Sequence, residues 1–389
     1  MASLICLPDQ IRAPHDGMRP VSARRLELAF YPGREARDVF EQWRALEMQI
    51  GDDSLMCSAD WTQTWLTHYG DLVPHRFAVA RADGKVCGVC LLTAGVAQKD
   101  GPFPVRSVHV GTAGEPDADN VCVEYNRLLI DEGLHAEFVH ILTAHLAAEA
   151  AWDEIRLDGF ARSDAEALFD QCRLFQVREA AAFYHDLAAA RDSGSTVLEQ
   201  LGYATRKNIR KNLKAYGKLQ IEWAESVQHA EHIFDEMVRL HQARWTSAGE
   251  PGAYASRRFY AFHQALLRRL VPQQRAVMFR VRCGTETVGC VQMFIDRNRA
   301  LSYQGGSAAY EGKLSPGLVV DYLCMEECLR RGLDAYDFLC GGSHHKQKLS
   351  TSSTSLVWAR LRRPRAKFFV LAAARGLKRA AVRIGRGRR

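Results

Sequence analysis

The sequence predicts an α/β protein of two tandem domains, each a mixed sheet flanked by helices. Three observations carry that expectation. The chain has 389 residues, and at ~100–200 residues per domain this length favours two domains. Hydrophobic residues make up 47% of it and charged residues 25%, which is ordinary for a globular chain and enough apolar material for two cores. The order of elements in the first half also recurs in the second. GKVCGVCLL (84–92) resembles TETVGCVQM (285–293), and WDEIRLDGF (152–160) resembles LDAYDFLCGG (333–342). A recurrence of supersecondary order is the mark of a duplicated domain.

The elements follow in order. Residues 1–23 contain prolines and mixed polar residues and read as a flexible arm. RRLELAFY (24–31) alternates as a strand does, whereas 34–50 places Phe40, Trp43, Leu46 and Ile50 at helical spacing. In 58–70, Ser58 is an N-cap and Trp61 and Trp65 share a helical face. Residues 75–95 form a hairpin about Asp83-Gly84, because Asp-Gly is the strongest short hairpin signal. A helix over 134–150 and a strand over 152–160 complete a first domain assigned to 24–190.

The second domain is assigned to 195–362. The basic stretch TRKNIRKNLKAYGKL (205–219) is its linker or first helix. Amphipathic helices are expected over 227–245 and 257–270, a hairpin over 276–296 with Cys283-Gly284-Thr285 at its turn, and a strand over 299–306. A helix over 315–332 opens with Ser315-Pro316 and closes at Gly332. Residues 363–389 form a basic amphipathic tail, with Pro364 ahead of a helix.

Composition narrows the function classes. Eleven cysteines, odd in number and scattered, do not form a disulfide framework, which points to a reducing compartment. Neither a signal-peptide start nor ~18 continuous apolar residues is present, so a soluble, cytoplasmic protein is expected. The net charge is +7, yet residues 359–389 carry twelve Lys/Arg and no acid. The body is therefore mildly acidic, and the tail alone calls for an anionic partner. Such a tail suits the inner face of an anionic membrane; a disordered solubilising tail is the other reading. Nucleic acid is not expected as a general partner, for want of a reader motif. Dinucleotide, Walker, kinase and metalloprotease motifs and the Gly-x-Ser-x-Gly elbow are missing. Cys87-x-x-Cys90 and the pair Cys324 and Cys328 read as packed core, and no metal is predicted.

The segment 303–349 bears the chemistry. A strand ends near Gln304, a glycine-containing loop follows, and a helix starts at Ser315-Pro316-Gly317-Leu318. Such a junction is an anion site, because free N–H groups and the positive dipole end converge there. Ser and Pro are also simply common at helix starts. LSPGLVVDYL, followed by YDFLCGGSHHK, resembles the CelD-like acetyltransferase family, which is distantly similar to the FemAB aminoacyltransferases. Ser315, Pro316, Gly317, Gly332, Asp337, Phe338, Gly341 and Lys346 carry the resemblance. His345 stands where the family pattern has Tyr, and Leu349 where it has an aromatic residue.

The resemblance implies tandem GNAT-like domains and direct transfer of an acyl group, foremost acetyl, from acyl-CoA to an amine or hydroxyl. The acceptor it implies is a small molecule such as an envelope or exopolysaccharide precursor. The donor's pyrophosphate would sit on Ser315, Pro316, Gly317 and Leu318. The alternatives are an aminoacyl-tRNA-dependent transferase, with RKNIRKNLK on phosphates, and a non-catalytic scaffold. Candidate acid/base groups are Tyr303, Tyr310, Asp321, Asp337, His344 and His345, with Tyr303, Asp337, His345 and Lys346 foremost. Asp321 either faces the cleft or is a surface acid favoured by the helix dipole. Asp337 lies in an apolar strand and needs a partner, for which Lys346 or Lys348 are in reach. Of the two histidines at most one serves as base. Lys346 binds phosphate or pairs with Asp337. Cys340 beside His344 would be the nucleophile of a covalent route.

Overall fold

The computed structural model describes residues 26–51, 54–169, 175–309 and 314–386. The arm expected at 1–23 and the candidate Tyr310 lie outside them. The first half runs β1 (Leu26–Pro32), α1 (Ala36–Ile50), α2 (Ala59–Tyr69), β2 (His75–Ala82), β3 (Lys85–Thr93), β4 (Gln98–Asp100), β5 (Phe103–Val105), β6 (Ser107–Val110), β7 (Leu129–Ile130), α3 (His135–Ala148), β8 (Glu154–Ala161), α4 (Arg162–Phe169) and β9 (Phe175–Asp186). After α5 (Leu187–Asp192) and α6 (Val197–Gln200) come α7 (Tyr203–Tyr216), β10 (Leu219–Trp223), α8 (Val227–Ser247), α9 (Arg257–Leu270), β11 (Ala276–Cys283), β12 (Glu286–Asp296) and β13 (Arg299–Ser307). The chain ends with α10 (Pro316–Arg330), β14 (Ala335–Cys340), α11 (His344–Leu349), β15 (Ser352–Arg362) and α12 (Ala366–Arg386).

Local chemistry explains the best-read elements. The β2–β3 turn has φ 52° at Asp83 and 79° at Gly84, the paired positive values a tight hairpin needs. Ser58 caps α2 by accepting the Trp61 N–H. The stretch read as linker or helix is the helix α7. Cys87 and Cys90 pack in the core of the first half, and Cys324 and Cys328 in that of the second.

One sheet runs through the molecule in the order β1-β2-β3-β6-β8-β15-β9-β14-β13-β12-β11-β10, with β7 beside β3. Its parallel neighbours are β6 with β8 and β13 with β14; each pair is joined through a helix, as parallel strands require. The fold class is therefore the mixed α/β sheet with flanking helices that the sequence predicts.

The middle of the sheet differs from a simple tandem. β9 follows β8 in the chain but pairs with β14, while β15 follows β14 but pairs with β8. The two exchanged strands pair with each other from Ser352↔Tyr184 to Leu361↔Phe175. The segments 24–190 and 195–362 thus follow chain order and not packing, since each contributes a strand to the other's side of the sheet.

The apolar core crosses the same boundary. Trp61 of α2 meets Phe262 of α9 and Phe294 of β12 edge-on, with ring centroids 5.4 and 5.5 Å away. Leu55 donates its N–H to Asp296 Oδ1 at 2.6 Å. The tail forms α12, anchored by buried Leu371, with Phe369 and Val370 exposed. Among the described residues no helix is long and apolar enough to cross a membrane.

His263 of α9 is fully buried among Phe259, Phe262 and Tyr303, and among the described residues neither ring nitrogen has a hydrogen-bond partner. Burial pushes its pKa down to about 3. Below its ordinary value of 6.5, the unfolded chain binds a proton that the folded ring refuses. Stability should then fall by about 1.4 kcal/mol per pH unit until pH nears 3. A His263→Phe variant is expected to lose that part of the slope when melting temperatures are compared between pH 6.5 and 4; equal slopes would show that the ring does not govern acid lability.

Candidate active site

The parallel neighbours β13 and β14 pair only from Arg299↔Ala335 to Leu301↔Asp337. Beyond this, β13 continues along β12 to Ser307 while β14 turns away, so the strands splay. The cause is local. Leu339 has φ 61°, a left-handed conformation that costs a branched residue free energy. The Asp337 carboxylate compensates by accepting the Leu339 N–H at 2.7 Å. The register against β9 shifts at the same place.

Asp337 is fully buried and joins four segments. Its Oδ2 accepts the Tyr125 hydroxyl and an Arg299 N–H, both at 2.6 Å. The Arg299 guanidinium lies over the Tyr125 ring at 5.4 Å and the Tyr184 ring at 4.7 Å. Burial pushes the Asp337 pKa up, against the pull of Arg299, Tyr125 and the Leu339 N–H. The expected partners Lys346 and Lys348 are therefore replaced by Arg299, which lies on the adjacent parallel strand and reaches the carboxylate directly. Lys346 instead donates to Leu339 O at 3.3 Å and Cys340 O at 2.7 Å, bracing the end of β14.

Ser315 is the N-cap residue of α10 and Pro316 its first residue, as read, but the Ser315 side chain makes no capping bond. By contrast, Ser226 caps α8 and Ser256 caps α9 with their hydroxyls. Ser315 is held by its own N–H, which donates to Asn212 Oδ1 of α7 at 2.7 Å. The N–H groups of Gly317 and Leu318 lie in the first turn, where no intrahelical acceptor exists. Among the described residues, a Cβ at Gly317 would meet only Ser307 Oγ, at 3.6 Å, so they leave room beside the helix start.

One turn into α10, Asp321 faces His345 and not solvent. His345 Nε2 lies 2.6 Å from Asp321 Oδ2. The buried Tyr336 hydroxyl is 3.0 Å from Asp321 Oδ1 and 3.1 Å from Ser302 Oγ. Burial alone would lower the His345 pKa, but the Asp321 hydrogen bond and charge outweigh it and hold it above its ordinary value. His344 is exposed. Tyr303 turns elsewhere: its hydroxyl donates to Val121 O, within the aromatic core that holds His263.

Across β14 from the His345 pair, a cleft of 760 Å³ lies between the halves. Cys340, Gly341 and Gln347 line one end, and Glu115, Glu124, His109 and Asp158 line the rest. Glu124 accepts the Cys340 N–H at 2.7 Å; burial raises its pKa against Cys340 and the nearby Lys346 charge. Burial also lifts Glu115 to about 7, and its Oε2 has no partner among the described residues. His109 Nδ1 lies 2.6 Å from Asp158 Oδ2. Sequence reasoning missed these acids. Their only advance signal is the acidic run EPDADNVCVE at 115–124, which carries no periodicity.

The first half has a matching pair, β6 and β8, but it is closed. Asn126 Nδ2 donates to Val110 O at 2.9 Å and to Asp158 O at 3.2 Å, stitching the strands where β13 and β14 stand open.

Residues 204–347 match the acetyltransferase (GNAT) domain family. That segment runs from α7 to α11 and includes the splayed strands, α10 and His345. Among curated proteins no sequence matches the chain. Solved structures share the fold. FemX is 12% identical at TM-score 0.55, covering 82% of this chain and 95% of that one. The C-terminal DUF2156 domain of a putative lysylphosphatidylglycerol synthetase from Agrobacterium fabrum is 11% identical at TM-score 0.52, covering 89% and 96%. L-PGS from Bacillus licheniformis is 11% identical at TM-score 0.50, covering 85% and 94%. At such identities the likeness is one of fold alone. The fold and the domain match together are those of a GNAT-type acyltransferase.

The His345–Asp321 pair makes a direct test. In Asp321→Asn the acidic partner is gone and burial acts unopposed, together with the Arg244 and Lys346 charges, so the His345 pKa should drop from above its ordinary value to below it. An NMR titration of the ring protons reads this; an unchanged value would show that Asp321 does not set the charge of His345.

Proposed function

We propose that the chain transfers an acyl group, foremost acetyl, from acyl-CoA in the opening between β13 and β14 to an amine or hydroxyl in the cleft between the halves. The observation that carries this reading is the splayed pair beside a helix start whose serine leaves its N–H groups uncapped. The Gly317 and Leu318 N–H groups and the positive end of α10 would hold the pyrophosphate. The basic face of α7, with exposed Lys207, Arg210 and Lys211, adds positive charge beside it. The unpaired edge of β13 offers backbone donors to the acyl arm and to the developing oxyanion.

Transfer requires the acceptor to lose a proton and the leaving thiolate to gain one. Glu124 takes the first: a buried carboxyl at the cleft end of β14 is a better base than one in water. His345, kept protonated by Asp321, supplies the second. Asp337 and Tyr303 are positioning residues, the former holding the strained turn at Leu339 and the latter tying the Val121 segment to β13. Lys346 fixes the carbonyls next to the acceptor and balances Glu124. The acceptor is a polar small molecule, of the glycan-precursor kind that the CelD-like resemblance implies.

Thermal melting with acetyl-CoA and longer acyl-CoAs tests the donor. A ligand that binds only the folded chain at ~100 times its Kd adds ~2.7 kcal/mol, so a clear upward shift is expected. Gly317→Trp fills open room, so it should leave the unliganded melting temperature close to wild type and abolish the shift. No shift with any acyl-CoA would overturn the donor reading and favour aminoacyl-tRNA as the source. Glu124→Gln should lower kcat by about 10²–10⁴-fold with the acetyl-CoA shift intact; unchanged kcat would remove Glu124 as base.

A further inference from the structure

A second hollow of 580 Å³ adjoins the acceptor cleft and shares Gln98, Asp117 and Arg156 with it. Its remaining wall is dominated by Arg360, Arg362 and Arg375. The exchanged strand builds this wall. Arg360 and Arg362 sit two residues apart on β15 and so point to one face. In the β15–β8 ladder Arg360 stands directly opposite Arg156. Like charges placed opposite each other on neighbouring strands destabilise a sheet.

Two acids, Glu154 and Asp100, pair directly with the four guanidiniums, while Asp117 and Lys99 also line the hollow and Asp158 attracts Arg156 and Arg360 from the cleft side. Buried Glu154 is shared by Arg156 at 2.5 Å, Arg362 at 2.9 Å and Arg360 at 3.6 Å. Asp100 pairs with Arg362 at 2.8 Å and with Arg375. Among the described residues Arg360 is the least satisfied of the four, since its one ion pair is the 3.6 Å contact. Burial, Arg156 and Arg362 push its pKa below the ordinary value, against the pull of Glu154 and Asp100. A bound anion would remove that repulsion, and the planar guanidinium fork matches phosphate oxygens two at a time.

We propose that the acceptor bears a phosphate or diphosphate, held by Arg156, Arg360 and Arg362, while its amine or hydroxyl lies at Glu124. This rests on the cleft being the acceptor site. The two hollows share Gln98, Asp117 and Arg156 as common wall, and each is of the size that ordinary small-molecule sites have. The phosphate belongs to a soluble sugar or nucleotide, or to a lipid carrier; both present the same group to the arginines.

Calorimetric titration with inorganic pyrophosphate tests the proposal. Arg360→Gln is the variant of choice, because it removes the guanidinium with the longest internal contact and leaves Glu154 paired. It should weaken pyrophosphate binding at least tenfold and leave the acetyl-CoA melting shift unchanged. Gly317→Trp should do the reverse, losing acetyl-CoA and keeping pyrophosphate. Pyrophosphate binding that is absent, or that survives Arg360→Gln and vanishes in Gly317→Trp, overturns the arginine site and leaves the donor reading standing. Arg360-dependent binding of uridine diphosphate would assign the soluble source, and Arg360-dependent binding of phosphatidic acid vesicles the lipid-linked one.

Discussion

The ladder between β9 and β15 is the constraint on which the molecule depends. Each strand leaves its own half and completes the other's, and they meet along Ser352–Leu361 and Phe175–Tyr184. Separating the halves would break this ladder and its two outer neighbours together, exposing backbone groups on both sides. The halves are therefore one cooperative body. The cleft between them has β9 and β15 as its floor, since Arg178, Ala180 and Trp358 line it. Arg178 stacks over Trp358 at 4.3 Å across that floor. The cleft is thus a product of the exchange and belongs to neither half alone.

The molecule has two parallel strand pairs, and their side chains make them different. In the first half Asn126 closes the gap between β6 and β8. In the second, Asp337 holds it open by fixing Leu339 in a left-handed turn. The loop that closes one serves the other: the segment from Glu115 to Asn126 sends Tyr125 to Asp337 and Glu124 to the Cys340 N–H. A buried carboxylate with three donors is stable where an unpaired one is not. That arithmetic explains why Asp337 tolerates full burial, and why its role is to shape the opening.

The sequence revealed what local chemistry controls. The Asp83-Gly84 hairpin, the Ser58 cap, the Ser315-Pro316 helix start and the order of elements in both halves were legible because turns, caps and periodicity are local. The exchanged strands were not. β9 contains Ala180, Ala181 and Ala182, which have little strand preference, and β15 lies between two strands and lacks a clean polar face. Pairing partners are set by tertiary contacts that one chain's pattern does not encode. The same limit applied to the site. His345 and Lys346 could be read from a motif, whereas Asp321 with His345, Arg299 with Asp337 and Glu124 with Cys340 are juxtapositions across 24 to 216 residues.

The geometry also separates direct transfer from a covalent route through Cys340. A nucleophilic cysteine needs a thiolate, which cationic neighbours or a helix start would favour. Cys340 has the opposite surroundings: burial and the Glu124 carboxylate push its pKa up, and Lys346 opposes them only in part. Its thiol points to Ala180 O, and His344, the base it would require, is exposed. The groups proposed to handle protons lie instead on either side of β14, His345 with Asp321 on the α10 side and Glu124 on the cleft side. A strand with an acid on one side and a base on the other suits a reaction in which the nucleophile enters from one side and the thiolate leaves from the other. Direct attack needs no enzyme-bound intermediate, and the Cys340 environment offers none.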